Sequence, residues 1–238
     1  MKSLPKRLLM TLVAALLLCP YLWGEAAKAL DTDVYTPESD VPLPCVVICP
    51  GRGYHKDLPL VKDLASRLKE EGFATLSFNW SFFTAKTQPS QDGSAELADI
   101  DAAIEMAKGI PGVDSSRIYL VGKSLGSVYG YHAFQKHPEL KACLLYTPVI
   151  PEPDLGSVYY PDLKDESRPV AFILGNKDQD NCPLGNLYAY LAGITRDIPL
   201  VVLSGGHSFE ESDDYTAPIN VYNTKLAIEM GVYWLKRM

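Results

Sequence analysis

The segment Gly122-Lys123-Ser124-Leu125-Gly126 constrains the fold of this chain more than any other part of the sequence. It follows an apolar, β-branched run at residues 117–121 and precedes a stretch with the pattern of a helix. Glycine on both sides of a serine is typical of a sharp strand-to-helix turn, because only small residues let the neighbouring backbones approach closely. The pentapeptide therefore predicts a serine held in a strained backbone conformation at the end of a strand.

Short apolar runs alternate with amphipathic stretches along the rest of the chain, which is typical of a parallel sheet flanked by helices. The predicted strands are residues 31–35 (a short edge strand), 44–49, 73–79, 117–121, 142–146, 170–174 and 200–203. The predicted helices are residues 58–71, 94–108, 125–136, 184–192 and 219–236. We expect an α/β fold with a doubly wound, mostly parallel sheet of six to seven strands and helices on both faces. The connection 147–169 is too short for a cap domain, so the site should be fairly open.

The N-terminal residues 1–29 have the features of a cleaved secretory signal peptide. They start with Lys2, Lys6 and Arg7, continue with an apolar stretch at 8–23, and end in Ala27-Lys28-Ala29. The apolar stretch is shorter than the roughly 20 residues that span a bilayer as a helix, which disfavours a permanent anchor. We expect a single domain at residues 30–238 that is exported, to the periplasm or the extracellular space if the source is bacterial.

The formal net charge of the whole chain is −7, and removal of residues 1–29 makes it more acidic. Such a charge disfavours nucleic acid as a partner. We expect a monomer without a stable membrane anchor, acting on a small molecule. Cys45 and Cys49 lie four residues apart on one predicted strand, too far apart to pair with each other, and at most one disulfide is expected in the domain.

A catalytic triad is predicted from residues that follow three of the predicted strands. The strand at 170–174 leads into Asp178 and the strand at 200–203 leads into His207, the only histidine after that acid. Ser124 would then be the nucleophile, His207 the base and Asp178 the group that orients the imidazole. Asp180 is an alternative acid with the same mechanism, although Asp178 lies nearer the strand end, where a loop is held most firmly.

The oxyanion of an acyl-transfer reaction needs two backbone N–H donors. The N–H of Leu125, next to the nucleophile, is one prediction. The second donor should come from the glycine-containing loop after the strand at 44–49, and we assign it to Arg52, with Gly53 as the alternative. No spacing of histidine, cysteine and carboxylate residues indicates a metal site, and no cofactor is expected.

Substrate contacts are expected at the carboxyl ends of the strands, where open α/β sheets bind their ligands. The candidates are Gly53, Tyr54, Trp80, Phe82 and Tyr146. Ordinary packing would explain part of this aromatic set equally well.

Together these motifs resemble the dienelactone-hydrolase superfamily of α/β-hydrolases, and especially its small branch related to testis-expressed protein 30. The matching segments are 50–53, 76–80, 122–126, 176–178 and 206–207. The resemblance implies the α/β-hydrolase fold and the triad, but no substrate. The sequence departs from the pattern at Pro50, where many hydrolases have histidine, and at Ser127, where close relatives often have a second glycine.

The leading functional hypothesis is an exported serine hydrolase that cleaves carboxylic esters, or thioesters and lactones, of small to medium substrates through an acyl-enzyme. An acyltransferase or a peptidase would use the same residues. A non-catalytic binding protein of the same fold is the alternative from another class, and it has no need for a strained serine.

Overall fold

The structure of the protein, a computed structural model, describes residues 30–238. The predicted signal peptide at 1–29 lies outside the described residues. Seven strands of the described part form one sheet in the order β1-β3-β2-β4-β5-β6-β7. These strands are β1 (Asp31–Tyr35), β2 (Leu43–Cys49), β3 (Ala74–Asn79), β4 (Val113–Lys123), β5 (Cys143–Tyr146), β6 (Val170–Gly175) and β7 (Leu200–Leu203).

Only the β1–β3 pair of this sheet is antiparallel, and the other five pairs are parallel. The chain runs outward from β2 to β3 and then crosses back to β4, so the strand order reverses between β2 and β4. Open α/β sheets bind ligands at such a reversal, beyond the carboxyl ends of the strands. Cys49 lies opposite Gly122 across this pair, which brings the loop after β2 beside the turn after β4.

Seven α-helices and one 3₁₀ turn connect the strands of the described region. The helices are α1 (Pro59–Glu70), α2 (Ser81–Ala85), α3 (Ser94–Lys108), α4 (Leu125–Lys136), α5 (Gly156–Tyr159), α6 (Leu184–Leu191) and α7 (Pro218–Leu235), and the 3₁₀ turn is Pro153–Leu155. None of the helices described here combines the length and the apolar character needed to cross a membrane.

Two apolar layers, one on each face of the sheet, form the core. One contains the buried faces of α1 and α7, and the other contains those of α3 and α4. Alternate residues of β2 enter opposite layers: Val46 and Ile48 pack with α1 and α7, while Val47 packs with α3 and α4. A strand covered on both faces must be apolar throughout, which is why β2 is a continuous apolar run rather than an alternating one. The doubly wound sheet predicted from the sequence is confirmed.

Differences from the predicted elements lie in short or polar segments. Strand β4 begins at Val113, four residues before its apolar part, because Val113 pairs with Leu43 across an irregularity in the register. The five-residue helix α2 was not predicted, and neither was α5. Within residues 147–169 the structure contains only the 3₁₀ turn and α5, with no cap domain.

Four cysteines lie in the described part of the chain, and all four are buried free thiols. Burial raises the pKa of Cys45 and of Cys182 to about 12, so both remain protonated at neutral pH. These thiols act as small apolar side chains of the core.

Candidate active site

Ser124 lies in the turn between β4 and α4, with φ 53° and ψ −118°. This is an unfavourable conformation for a residue other than glycine, and such a conformation costs of the order of 1–3 kcal/mol. Two backbone hydrogen bonds hold Ser124 in this conformation. The N–H of Ser124 donates to the carbonyl of Tyr146 in β5 at 3.0 Å, and the carbonyl of Ser124 accepts from the N–H of Ser127 at 2.8 Å.

The two glycines of the pentapeptide make this turn sterically possible. A Cβ on Gly122 would lie 2.6 Å from the carbonyl carbon of Gly126, and a Cβ on Gly126 would lie 2.5 Å from the carbonyl oxygen of Pro50. Both obstacles are backbone atoms, which no change of rotamer can remove. The prediction that only small residues fit at these two positions agrees with this geometry.

His207 connects Ser124 to Asp178 through one chain of hydrogen bonds. Its Nε2 lies 2.7 Å from Oγ of Ser124, and its Nδ1 lies 2.5 Å from Oδ2 of Asp178. The carboxylate can only accept, so its contact assigns the proton to Nδ1 and leaves Nε2 free to accept the serine hydroxyl. Three residues that follow β4, β6 and β7 are thus brought together.

Asp178 is buried, with 3% of its surface exposed, and its second oxygen is also occupied. Oδ1 accepts hydrogen bonds from the backbone N–H of Asn181 at 3.3 Å and from its Nδ2 at 2.9 Å. Burial alone would raise the pKa of Asp178, but the hydrogen bond and charge of His207 and the bonds from Asn181 outweigh it and hold the pKa below its usual value. The carboxylate therefore stays ionised at neutral pH. Asp180 is exposed, and within the described residues it makes no hydrogen bond to His207.

Two neighbouring elements fasten the loop that carries His207. Oδ1 of Asn176, after β6, accepts from the N–H of Gly205 at 3.3 Å. On the other side, the Asn220 side chain of α7 accepts from the N–H of Glu211 at 2.6 Å and donates to the carbonyl of Asp214 at 2.8 Å. Asn223 of α7 donates to the loop through the carbonyl of Phe209. These side-chain bonds add to backbone hydrogen bonds of the same loop, such as that from the N–H of Lys177 to the carbonyl of Gly205 at 2.8 Å, and together they fix the position of His207.

The two predicted oxyanion donors flank the serine. The Cβ position of Gly51 lies 3.2 Å from Cβ of Ser124, so the loop after β2 lies directly against the nucleophile. Neither the N–H of Arg52 nor that of Leu125 has a hydrogen-bond acceptor among residues 30–238. The exposed guanidinium of Arg52 donates to Oε1 of Gln88 at 2.6 Å.

A cavity of about 780 Å³ opens next to Ser124 and His207. Its lining residues come from the loops after β2, β6 and β7, the start of α1, the end of β4 and the first turns of α7. They include Gly51, Arg52, Gly53, Tyr54, Leu58, Asp63, Lys123, Glu210, Tyr215, Asn220, Val221 and Lys225. The cavity combines apolar surface with both signs of charge, and its size suits a small or medium-sized molecule.

Of the five predicted substrate contacts, Gly53 and Tyr54 line this cavity, but the structure places the other three in the core. Trp80 is fully buried and donates from Nε1 to the carbonyl of Pro50 at 2.9 Å, which supports the loop after β2. Phe82 stacks on Trp80. Tyr146 is fully buried and donates to the carbonyl of Ala227 at 3.1 Å. The substrate-binding expectation for Trp80, Phe82 and Tyr146 is therefore corrected: their rings pack the interior, and two of them anchor neighbouring backbone.

Sequence reasoning missed Lys123, Asn181 and the cavity wall from α7. Lys123 carried a signal, since a lysine that ends a buried apolar strand is unusual. The contributions of α7 carried none, because no motif and no helical periodicity distinguishes its cavity-facing residues from the rest of the helix. Within residues 30–238 no group of three or more histidine, cysteine or carboxylate residues is arranged to hold a metal ion.

Comparison with known proteins assigns this chain to a protein family. The sequence model of a family described as the α/β hydrolase domain matches residues 43–221. The chain belongs to this family. A curated relative, the quorum-quenching protein AidA of Acinetobacter baumannii, is 32% identical over 96 residues, which cover 39% of this chain and 31% of the relative. The match thus spans about a third of that relative's length.

Solved structures of low sequence identity share the fold. A candidate dienelactone hydrolase from Klebsiella pneumoniae is 20% identical, with 89% of this chain and 100% of that chain covered at a TM-score of 0.65. A lidless α/β serine hydrolase from Xanthomonas campestris is 21% identical, with 86% and 88% covered at a TM-score of 0.66. The α/β-hydrolase assignment made from the motifs is confirmed, and family membership supports a hydrolase.

Proposed function

We propose that this α/β-hydrolase is an exported serine hydrolase that cleaves carboxylic esters of small to medium substrates. The observation that carries the proposal is the hydrogen-bond chain from Asp178 through His207 to Ser124, which ends at the wall of a cavity large enough for such a substrate. A buried carboxylate, an oriented imidazole and a strained serine together form an activated nucleophile. Export after removal of residues 1–29 is part of the proposal and rests on the sequence pattern alone.

In the proposed reaction, Oγ of Ser124 attacks the ester carbonyl carbon while Nε2 of His207 takes the hydroxyl proton. The oxyanion that forms accepts hydrogen bonds from the N–H groups of Leu125 and Arg52, whose donors have no partner of their own in the described part of the chain. The tetrahedral intermediate collapses, the bond to the leaving oxygen breaks, and the alcohol leaves with the proton from His207. Asp178 stabilises the imidazolium throughout.

Water completes the cycle by the same route. Nε2 of His207 takes a proton from the water molecule as its oxygen attacks the acyl carbon. The bond between that carbon and Oγ then breaks, the carboxylic acid leaves, and Ser124 recovers its proton from His207. Neither half-reaction requires a cofactor.

Labelling with a fluorophosphonate probe, read out by intact mass, tests the nucleophile and the base together. We expect one probe per molecule of the wild-type protein and none on Ser124→Ala. Labelling of His207→Ala should be slower by roughly 10³-fold or more. A panel of short- to long-chain esters, with matched amides, would then give the substrate class. A folded wild-type protein that is not labelled and cleaves no ester would contradict the proposal and favour the binding-only alternative.

A further inference from the structure

Lys123 is a buried cation without a carboxylate partner. It lies at the end of β4, immediately before Ser124, and only 3% of its surface is exposed. Within residues 30–238 no carboxylate oxygen lies within salt-bridge distance of its Nζ. Taking an ammonium group out of water without such a partner is costly. The stability of the fold therefore does not explain this side chain.

The ammonium group of Lys123 instead contacts the loop that carries His207. Nζ donates a hydrogen bond to the backbone carbonyl of His207 at 3.2 Å. It also lies 4.9 Å from the centre of the Tyr54 ring, whose hydroxyl accepts from the N–H of Leu60 at 3.0 Å. The ring face attracts a cation, and the ring is itself held by α1. Lys123 thus connects the backbone next to the nucleophile with the backbone of the base.

The hydrogen bond from Lys123 to the carbonyl of His207 involves none of the reacting atoms. This property is important at the acyl-enzyme stage of the proposed reaction. In the free protein, Oγ of Ser124 and Nε2 of His207 hold each other through their own hydrogen bond. Once Oγ carries the acyl group it has no proton to donate, so His207 loses that partner just when it must activate water. The bond from Lys123 to the carbonyl of His207 involves no atom that changes during acylation.

We propose that Lys123 is a positioning residue that holds His207 in place in the acyl-enzyme, so that water can be activated for deacylation. The inference rests on the proposed function. It assigns Lys123 a larger effect on the second half of the reaction than on the first. A lysine that only packed the interior would affect both halves equally.

The pH dependence of kcat gives a second test, because the ammonium group of Lys123 can lose its proton. Burial lowers the pKa of Lys123 to about 8, against the opposing effect of the Asp178 and Glu210 carboxylates. The ionisable groups that face Lys123 are Tyr54, Asp178, His207 and Glu210. Its cavity is also lined by Arg52, Asp63, Tyr215 and Lys225. Tyr54 stays neutral well beyond this pH, because burial raises its pKa to about 12. A neutral amine is a much weaker donor than an ammonium group, so the connection weakens as pH rises through about 8.

The decisive experiment compares Lys123→Met with the wild-type protein on a reactive aryl ester. For a substrate that acylates quickly, kcat reports deacylation and kcat/KM reports acylation. We expect kcat to fall by about 10- to 100-fold, because small displacements of a catalytic group have effects of that size. The ratio kcat/KM should change by less than about 3-fold, and intact mass should show acylated Ser124 accumulating after a burst. The melting temperature should equal or exceed that of the wild type, because a buried cation is removed.

Two controls accompany this variant. Lys62→Met makes the same substitution at an exposed position of α1 and should leave kcat and kcat/KM unchanged. Lys123→Arg returns a charged N–H donor and should recover part of kcat. In the wild-type protein, kcat should decline above pH about 8 while kcat/KM does not, and this measurement requires no variant to fold.

Three results would overturn the inference: unchanged kcat in Lys123→Met, an equal fall of kcat and kcat/KM, or a wild-type kcat that stays level from pH 7 to 10. Each of them leaves the proposed function intact as long as the wild-type protein is labelled by the fluorophosphonate. Absence of wild-type labelling and turnover would instead contradict the proposed function itself, so the two failures are distinguishable.

Discussion

The wall of the cavity next to Ser124 is held mainly by close contacts between backbones, whereas the wall that carries His207 combines such contacts with several hydrogen bonds from side chains. At Gly122 and Gly126 the chain passes so close to itself that no Cβ fits. The loop after β7 also lies close to backbone, at Gly175, and in addition it is held by hydrogen bonds from the side chains of Asn176 and Asn220. Close contacts between backbones leave no room for an added side chain, whereas the loss of one side-chain hydrogen bond leaves the others in place. We expect substitutions on the first wall to act mainly through folding, and removal of side-chain hydrogen bonds on the second wall to lower activity as well as stability.

The largest expected effect is on activity, at the carboxylate behind His207. Asp178→Asn should lower kcat by about 10⁴-fold, because an amide can no longer fix the required tautomer of the imidazole. Asp180→Asn, two residues away on the exposed side of the same loop, should stay within about 2-fold of the wild type, since surface substitutions have small effects. Steady-state hydrolysis of one ester by both variants measures the difference. An equal fall of kcat in the two variants would contradict the assignment of Asp178 as the acid of the triad.

The next effect is on stability, at the wall beside Ser124. Gly126→Ala should lower the free energy of unfolding by about 2–3 kcal/mol, the upper part of the usual range for overpacking, because the backbone of Cys49 and Pro50 must move. Gly185→Ala in α6, where a Cβ meets nothing within 4 Å, should be neutral or slightly stabilising. Urea denaturation of both variants gives the two values. A neutral Gly126→Ala would remove the proposed contrast between the walls.

The smallest effect is expected at the wall that carries His207. Asn220→Ala removes the hydrogen bonds between α7 and residues 211–214, and should lower kcat by about 10-fold through a looser His207 loop. Asn186→Ala is a matched control, because Asn186 also donates to two backbone carbonyls, those of Ile150 and Pro151, but does so outside this loop. Both variants should lose about 1–3 kcal/mol of unfolding free energy. Only Asn220→Ala should lower kcat, and the same kcat in both variants would refute the proposed role of the loop.

The fold was largely predictable because its signals are local. Apolar runs, helical periodicity and the glycines of the turn lie within a few residues of the structure that they specify, and the predicted strands and long helices agree with the structure to within a few residues. The short helix α2 was missed, because five residues give no periodicity to detect. The start of β4 was missed for a different reason: its polar residues join the sheet only because Val113 meets a distant residue, Leu43.

The residues around Ser124 could be predicted where chain order and the ends of strands determine their position in the fold, as for Asp178 and His207. Side chains near strand ends were less predictable. Trp80 and Tyr146 lie at or just after the carboxyl ends of their strands, where substrate contacts were expected. Their rings nevertheless pack inside the molecule. Lys123 and Asn220 also line the site, although only Lys123, a lysine at the end of an apolar strand, carried a signal in the sequence.

The sequence by itself determined the order of the strands and long helices, the turn at Ser124, and Ser124 and His207 as members of the hydrogen-bond chain, since each depends on local backbone geometry and chain order. Only the tertiary structure decided which of two nearby carboxylates faces His207, which aromatic rings reach the cavity, and that the lysine beside the nucleophile bonds to the loop of the base. These are decided by packing between elements far apart in the chain, where a displacement of an ångström determines whether a contact forms.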